Sequence, residues 1–493
     1  MLLRFSVLLV GLVLIQGRLS AAEASGSTNV LLICIDDLKP NLGCYGDSVA
    51  KTPAIDSLAR RGLRFDAAYC NQAVCAPSRN ALMTGLRPDT IGIYDLQTNF
   101  RFGAPDAVTL GQYFMERGYA SISLGKIYHR GHGNSPDEAS FSEPPWFAKR
   151  PAYVNRESIR LRKKDATGKV RGPATEIGQA EDQDYADGHT ANEACRRLEE
   201  FAEQANQPFF LGVGFIRPHL PFVAPKKYWD LYDATGLPMP EYTKAPKGAP
   251  SFAKTNGGEL KNYTDIDVLP SGADDETRHL IHGYYAATSY MDAQVGRVLK
   301  KLDETGLANN TVVVLWGDHG WHLGDHGMWC KHTNYEQATR IPLIVALPVQ
   351  DRTSSSIGKS TKSLVETVDI YPTLCELTGG EIPDGLDGKS FRPILDDHTQ
   401  TVRPTIRHVY PRSRNLGIAT RDERYRLVQW TPMRGGDPVA VELYDYEADP
   451  LETQNLANEL PQEVERLAAI ANEYPPHRPK VTAQGTTRPV RSP

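Results

Sequence analysis

Apolar side chains fill every position of Val30-Leu-Leu-Ile-Cys-Ile35, and the run stops at the acidic pair Asp36-Asp37. A stretch of strand length with no polar face predicts a strand buried on both sides in an α/β sheet. Similar runs predict strands at 120–124, 209–215, 311–316 and 343–347. Helices are predicted near 109–117, 189–204, 277–304 and 366–377. Pro53, after the capping-type residue Thr52, starts a shorter helix whose stripe Ile55, Leu58, Ala59 ends before Gly62. Strands alternating with helices imply a mixed or mostly parallel sheet.

The pattern breaks down at 130–187, and again at 236–274, where Pro, Gly, Lys and Asp dominate. Loops this long are commonly binding elements, with disorder the alternative for their most polar parts, so they are expected to shape ligand choice. After the turn-rich stretch 382–388, β-like segments at 406–410, 417–420, 425–430 and 441–444 predict a small antiparallel subdomain. The expected organisation is a signal peptide over 1–24, a large domain over 25–390, a smaller one over 391–480 and a flexible tail over 481–493. The signal rests on an apolar run from Phe5 to Ile15, followed by Ser20, Ala21, Ala22 and Ala24. That run is shorter than the ~20 residues a spanning helix needs, so an exported protein, periplasmic or extracellular, without stable membrane insertion is expected.

Composition narrows the functional classes. The 493 residues hold 55 Lys plus Arg against 60 Asp plus Glu, a formal charge of −5, which gives no global reason to expect nucleic-acid binding. Seven cysteines are too few for a disulfide scaffold, and their odd number leaves at least one thiol unpaired or chemically special. No pairing follows from the spacing of Cys34, Cys44, Cys70, Cys195, Cys330 and Cys375.

Polar residues cluster after the predicted strands, where open α/β sheets bind ligands. Asp36 and Asp37 follow the first, and Asp318-His319 follow the run 311–316. Three carboxylates brought together would repel unless a cation held them, and oxygen-rich ligation favours calcium or magnesium, with calcium preferred. Cys75-Ala-Pro-Ser-Arg79 leads into a helix that Gly85 stops. A cysteine at a helix start is expected to have a lowered pKa, and Arg79 offers planar donors for an oxyanion. Lys126 and His129 lie three residues apart, close enough to pair if the segment turns helically. His219 stands between Pro218 and Pro221, which restrict its backbone. Lys331 follows a loop holding His322, Asp325 and His326 that could fold over the same pocket.

Cys75-Ala-Pro-Ser-Arg79 with Thr84-Gly85 resembles the maturation signature of the sulfatase family, within the alkaline-phosphatase-like superfamily, in which the cysteine is oxidised to formylglycine. Asp36-Asp37, Lys126 through His129, Gly214 through Phe222, Gly317 through Gly327 and Lys331 are similar, in order and character, to the iduronate-2-sulfatase branch. The likeness spans roughly 28–480. It implies an alkaline-phosphatase-like sandwich: a large central mixed, mostly parallel sheet flanked by helices, plus a small C-terminal antiparallel-sheet subdomain. By the same resemblance Asp36, Asp37, Asp318, His319 and the modified residue Cys75 would ligate calcium. A hydroxyl of hydrated formylglycine would attack sulfur while Arg79, Lys126 and Lys331 offset charge. His219 or Lys331 would assist departure of the alcohol, and His129 would take a proton from the second hydroxyl as sulfate leaves. The implied substrate is a sulfate ester on an acidic carbohydrate, 2-sulfated iduronate or a related uronic acid first, another sulfated glycan of marine or host origin otherwise. A formylglycine-generating or anaerobic maturation enzyme is the implied partner. A phosphate or phosphonate ester hydrolase on the same scaffold is the enzymatic alternative, and a noncatalytic carbohydrate-binding protein the alternative from another class.

Overall fold

The computed structural model describes residues 27–482, apart from 166–167, 205–206, 273 and 352–354. The signal expected at 1–24 and the tail beyond residue 482 lie outside the described residues.

The central sheet is built on β1 (Asn29–Ile35), β2 (Leu63–Tyr69), β3 (Ala120–Gly125), β4 (Phe209–Phe215), β5 (Thr311–Gly317) and β6 (Arg340–Ala346). Two short strands, β7 (Ser360–Thr361) and β8 (Val365–Glu366), complete it. Its order is β7-β2-β6-β5-β1-β4-β3, with β8 also pairing with β2. Only β6 runs against the others, being antiparallel to both β2 and β5. The mixed, mostly parallel sheet expected from the sequence is therefore present, with β1 in its interior between β5 and β4.

Burial of β1 on both sides explains its unbroken apolar run. Val30, Leu32 and Cys34 pack on one face with residues from α2 (Cys75–Thr84), α3 (Leu110–Glu116) and, later in the chain, Ile370–Leu377. Leu31, Ile33 and Ile35 pack on the other with α1 (Pro53–Arg61), α4 (Ala186–Glu203) and α5 (Asp275–Glu304). Each face thus has a helical layer, the sandwich that a parallel sheet requires.

Local details add to or differ from the sequence reading. Leu-Arg-Phe-Asp-Ala-Ala-Tyr forms β2, a strand the apolar-run criterion passed over because Arg64 and Asp66 interrupt it. The helical stretch expected near 366–377 is present, as a 3-10 turn over Thr367–Asp369 that runs into an α-helix at Ile370, while Glu366 pairs in β8 and exchanges caps with Asp369. Thr52 precedes α1 without capping it: its hydroxyl accepts the Gly43 N–H at 2.9 Å and donates to Asp56 at 3.1 Å. The open N–H groups of Ala54 and Ile55 instead find Asp292 of α5, at 3.1 and 2.8 Å.

Ile370–Leu377 is α6, and the four strands Ile406–Arg412, Asn415–Arg421, Tyr425–Pro432 and Ala440–Asp445 form the expected antiparallel C-terminal sheet. Helix α7 (Pro461–Ala471), unforeseen in the sequence, covers it by placing Leu467 against Leu427 and Leu443. Buried ion pairs fasten this region to the larger part: Arg403 meets Glu366 at 2.7 Å and Arg407 meets Asp89 at 2.7 Å. All seven cysteines are free thiols. Among the described residues no helix is long and apolar enough to cross a membrane.

Candidate active site

Register brings the polar residues together. Ile35 at the end of β1 lies beside Gly317 of β5 and Phe215 of β4, so the chain leaves all three strands at the same edge. Asp318 donates its N–H to the Ile35 carbonyl at 3.0 Å, and Asp36 donates to Phe215 at 3.3 Å. Asp37 adopts a left-handed φ of 58°, its N–H donating to Asp318 Oδ1 at 3.0 Å and its carbonyl accepting the Tyr284 hydroxyl at 2.8 Å. On the far side of β4, Lys126 donates its N–H to Gly214 at 2.9 Å. A Cβ on Gly214 would stand 2.3 Å from the Lys126 backbone, so only glycine lets this crossing occur.

Cys75 is the first residue of α2, which ends at Gly85 with φ 68°, as the sequence predicts. Its Sγ lies 3.3 Å from His319 Nε2. The lowered thiol pKa expected at a helix start is not found: burial, seconded by Asp36, pushes the Cys75 thiol up. The side chain is therefore poorly suited to serve as a thiolate.

Arg79, one turn further along α2, is fully buried. Its Nε donates to Asp318 Oδ2 at 2.9 Å, its Nη2 to Asp36 Oδ1 at 3.3 Å, and its Nη1 to the carbonyls of Lys126 and Ile127. The guanidinium brackets two acidic strand ends and the Lys126 turn, leaving few of its five donors for a ligand. Lys126 Nζ pairs with Asp36 Oδ2. Lys331, 2% exposed, reaches both oxygens of Asp37 at 3.0 Å and lies over the Trp321 ring. His219 donates Nδ1–H to the Leu220 carbonyl at 2.6 Å, which turns Nε2 toward Asp37 Oδ2 at 3.8 Å.

Asp36, Cys75, Asp318 and His319 each offer one ligand atom within 4.8 Å of the others, and Asp36, Asp37, Cys75 and His219 form a second such group. Burial would raise the Asp36 carboxyl, but Lys126, His219 and Arg79 outweigh it and hold the pKa well below the carboxylate range. Asp318 is less well compensated: burial lifts it to about 6. Three fully buried aspartates, one of them short of positive charge, form a donor set that fits a hard cation.

Several sequence expectations do not enter this cluster. The segment after Lys126 bends without forming a helix, so His129 does not pair with Lys126; its Nε2 meets His132 Nδ1 at 3.1 Å. His322, Asp325 and His326 do not fold over the pocket. They serve the scaffold, bonded to Thr333 at 2.9 Å, Lys39 at 3.2 Å and the Leu451 carbonyl at 2.7 Å respectively. One residue was missed. Glu259, from the 236–274 insertion, places Oε1 3.0 Å from His219 Nε2 and Oε2 2.8 Å from Lys331 Nζ. Its surroundings, Asn256-Gly-Gly-Glu259, carry no periodicity or motif that would have marked it.

Beside the cluster lies a cavity of about 360 Å³ that shares Lys126 and His219 with it and is also lined by Arg130, Phe147, Arg150 and Arg217. It contains neither Cys75 nor the three aspartates, so it adjoins the metal-binding group without including it.

A doubly covered, mostly parallel sheet with three aspartates at two strand ends and a helix-start cysteine among them defines an alkaline-phosphatase-like hydrolase. The sulfatase family profile matches residues 28–380, and a profile for the N-sulphoglucosamine sulphohydrolase C-terminal region matches 324–472. Mouse iduronate 2-sulfatase is 32% identical over 521 aligned residues, covering 89% of this chain and 93% of that protein. A protein solved in complex with its substrate D-glucosamine-2-N,6-O-disulfate superposes with a TM-score of 0.71 at 21% identity, covering 91% of this chain and 97% of the other. A phosphonate monoester hydrolase from Silicibacter pomeroyi superposes with a TM-score of 0.70 at 22% identity, covering 90% and 94%. The chain belongs to the sulfatase family.

Proposed function

We propose that this protein is exported and hydrolyses a sulfate ester on an acidic carbohydrate, with a 2-O-sulfated uronic acid such as iduronate 2-sulfate as the first substrate to test. The observation that carries the reading is the placement of Cys75 Sγ 3.3 Å from His319 Nε2, within a buried group that also holds Asp36 and Asp318. The choice of uronic acid is supported by the iduronate 2-sulfatase relative and by the basic rim of Arg130, Arg150 and Arg217 on the adjoining cavity. Its volume of about 360 Å³ lies within the range of small-molecule sites, about 300–1,000 Å³.

Asp36, Asp37, Asp318 and His319, with residue 75, would hold calcium, whose flexible oxygen-rich shell suits carboxylates from separate strands. Formylglycine made from Cys75 by a maturation enzyme would supply an aldehyde hydrate as nucleophile, and the cation would supply polarisation of the ester. The remaining chemistry belongs to side chains already in place. Lys126 and Lys331 offset the negative charge of the sulfuryl group, and Arg79 keeps Asp36 and Asp318 in position. His219, held by Leu220 and Glu259, faces the site with Nε2 and gives a proton to the departing alcohol. His129 is neutral, because burial and Lys126 lower its pKa to about 2, and it is assigned the role of proton acceptor.

Defined sulfated oligosaccharides, scored for free sulfate and for the position desulfated, test the reading. Release from 2-O-sulfated uronic acids is expected. Release confined to nonuronic glycans would overturn the substrate, and a phosphate or phosphonate ester turned over far faster than any sulfate ester would overturn the activity.

A further inference from the structure

His129 is the inner end of a hydrogen-bonded chain that leads away from the site. Its Nε2 meets His132 Nδ1 at 3.1 Å, and His132 Nε2 meets Lys169 Nζ at 2.6 Å. The two rings stack, with centroids 5.4 Å apart and planes 21° from parallel. A tight turn holds His132 in place. Gly131, His132 and Gly133 have φ of 114°, 57° and 90°, and Gly131 and Asn134 exchange N–H to carbonyl bonds at 3.1 and 2.9 Å. Left-handed backbone at a histidine is unfavourable, so the turn spends free energy on this orientation. Lys169 is fixed from its own hairpin, donating its N–H to Asp165 Oδ1 at 3.0 Å. At the inner end, His129 Nδ1 is buried with no hydrogen-bond partner in the protein.

We propose that Lys169, acting through His132, sets which ring nitrogen of His129 carries the proton. A neutral imidazole has one N–H and one lone pair, so the polarity of this chain is set from its outer end. An ammonium at Lys169 donates to His132 Nε2. His132 then carries its proton on Nδ1 and donates to His129 Nε2, leaving His129 Nδ1 protonated. Once Lys169 gives a proton to solvent, its amine accepts from His132 Nε2–H, and His132 Nδ1 accepts from His129 Nε2–H. The single proton of each ring has moved from Nδ1 to Nε2, and His129 Nδ1 now presents a lone pair. His132 and Lys169 are thus positioning residues.

The electrostatic surroundings support a switch rather than a fixed state. Burial and then Lys169 lower the His132 pKa, so that ring stays neutral. Burial and then Arg171 lower that of Lys169, against the opposing pull of Asp165 and Glu259, with Lys126 adding to the lowering. His132 faces Lys169, Arg171, Glu259 and Lys126, and His129 faces Lys126, Asp36, His132 and Arg79.

The catalytic consequence rests on the reading of His129 as proton acceptor, but the coupling itself is testable without turnover. Long-range proton–nitrogen spectra of protein labelled with 15N-histidine report each ring's tautomer. Between about pH 6 and about pH 11, which spans the ordinary lysine range, His129 and His132 of the unmutated protein are expected to switch together with one midpoint. Lys169→Arg, which cannot lose its proton in that range, is expected to lock both rings in the Nδ1–H form. Lys169→Met is expected to remove the shared midpoint. Rings that never switch in the unmutated protein, or that switch equally in Lys169→Arg, would overturn the coupling. Above that midpoint, where the unmutated protein presents the Nδ1 lone pair, Lys169→Arg is expected to lose about ten-fold in kcat for sulfate-ester turnover with little change in KM. A locked tautomer with undiminished kcat would overturn the assignment of His129 as acceptor while leaving the coupling in place.

Discussion

Glu259 Oε2 lies 2.8 Å from Lys331 Nζ, which itself reaches Asp37 of the buried cluster at 3.0 Å. Burial would raise the Glu259 carboxyl, but Lys331 and His219 hold its pKa well below the usual range, so the carboxylate stays charged. Its other oxygen holds His219, and one loop residue therefore aligns the proposed acid for the departing alcohol and a cation proposed to face the sulfuryl group. A negative charge here is tolerated because it spaces and orients two cations.

Glu259→Gln is expected to lower kcat about ten-fold and to change KM less than about three-fold, since it loosens alignment and leaves sulfate contacts intact. The pH profile is a second readout. Burial alone would lower the His219 pKa, but Asp37, Asp36 and Glu259 raise it to about 10. If the protonated ring is the acid, kcat falls on the alkaline side of the profile, and removing the Glu259 charge moves that limb to lower pH. A limb unchanged in Glu259→Gln would separate it from His219.

Chelation of a matured preparation is expected to abolish sulfate-ester turnover and to lower Tm, because the buried carboxylates would lose the charge that offsets their repulsion. Calcium is expected to restore both more fully than magnesium, which demands a stricter octahedral shell. Turnover and Tm indifferent to exhaustive chelation would contradict the metal assignment.

Acid sensitivity is expected from a place remote from the site. Burial would raise the Glu366 carboxyl, but Arg87 and Arg403, each at 2.7 Å, outweigh it and bring the pKa down to about 2. A depressed carboxyl pKa contributes stability that is present above its unfolded value of 4.5 and is lost as pH falls through about 2. Glu366→Gln is expected to cost about 1–3 kcal/mol at neutral pH, since Arg403 keeps Asp369 and Arg87 keeps Asp387 at 3.8 Å, and to flatten this part of the acid slope. Urea unfolding at a series of pH values measures both effects.

Much of the scaffold was readable because β1, β4 and β5 are buried on both faces and so have no polar positions to blur the signal. The same rule hid β2, where Arg64 and Asp66 bond to each other and interrupt the apolar run. The antiparallel direction of β6 depends on pairing with β2 and β5, which local pattern does not encode. Site residues that leave strand ends, namely Asp36, Asp37, Lys126, His219 and Asp318, were legible because topology gathers strand ends in one crevice. Glu259 was not, since a loop carboxylate acquires its partners only through tertiary folding. His322, Asp325 and His326 misled for the converse reason: their imidazole and carboxylate chemistry is spent on Thr333, Lys39 and Leu451.

The mass of the peptide containing Cys75, taken from natively matured protein that releases sulfate, tests the central claim most directly. The expected result is the mass of a chain in which the CH2–SH group of Cys75 has become an aldehyde, with loss of both the aldehyde and turnover in Cys75→Ala. An active preparation in which every such peptide retains the unmodified thiol would contradict it.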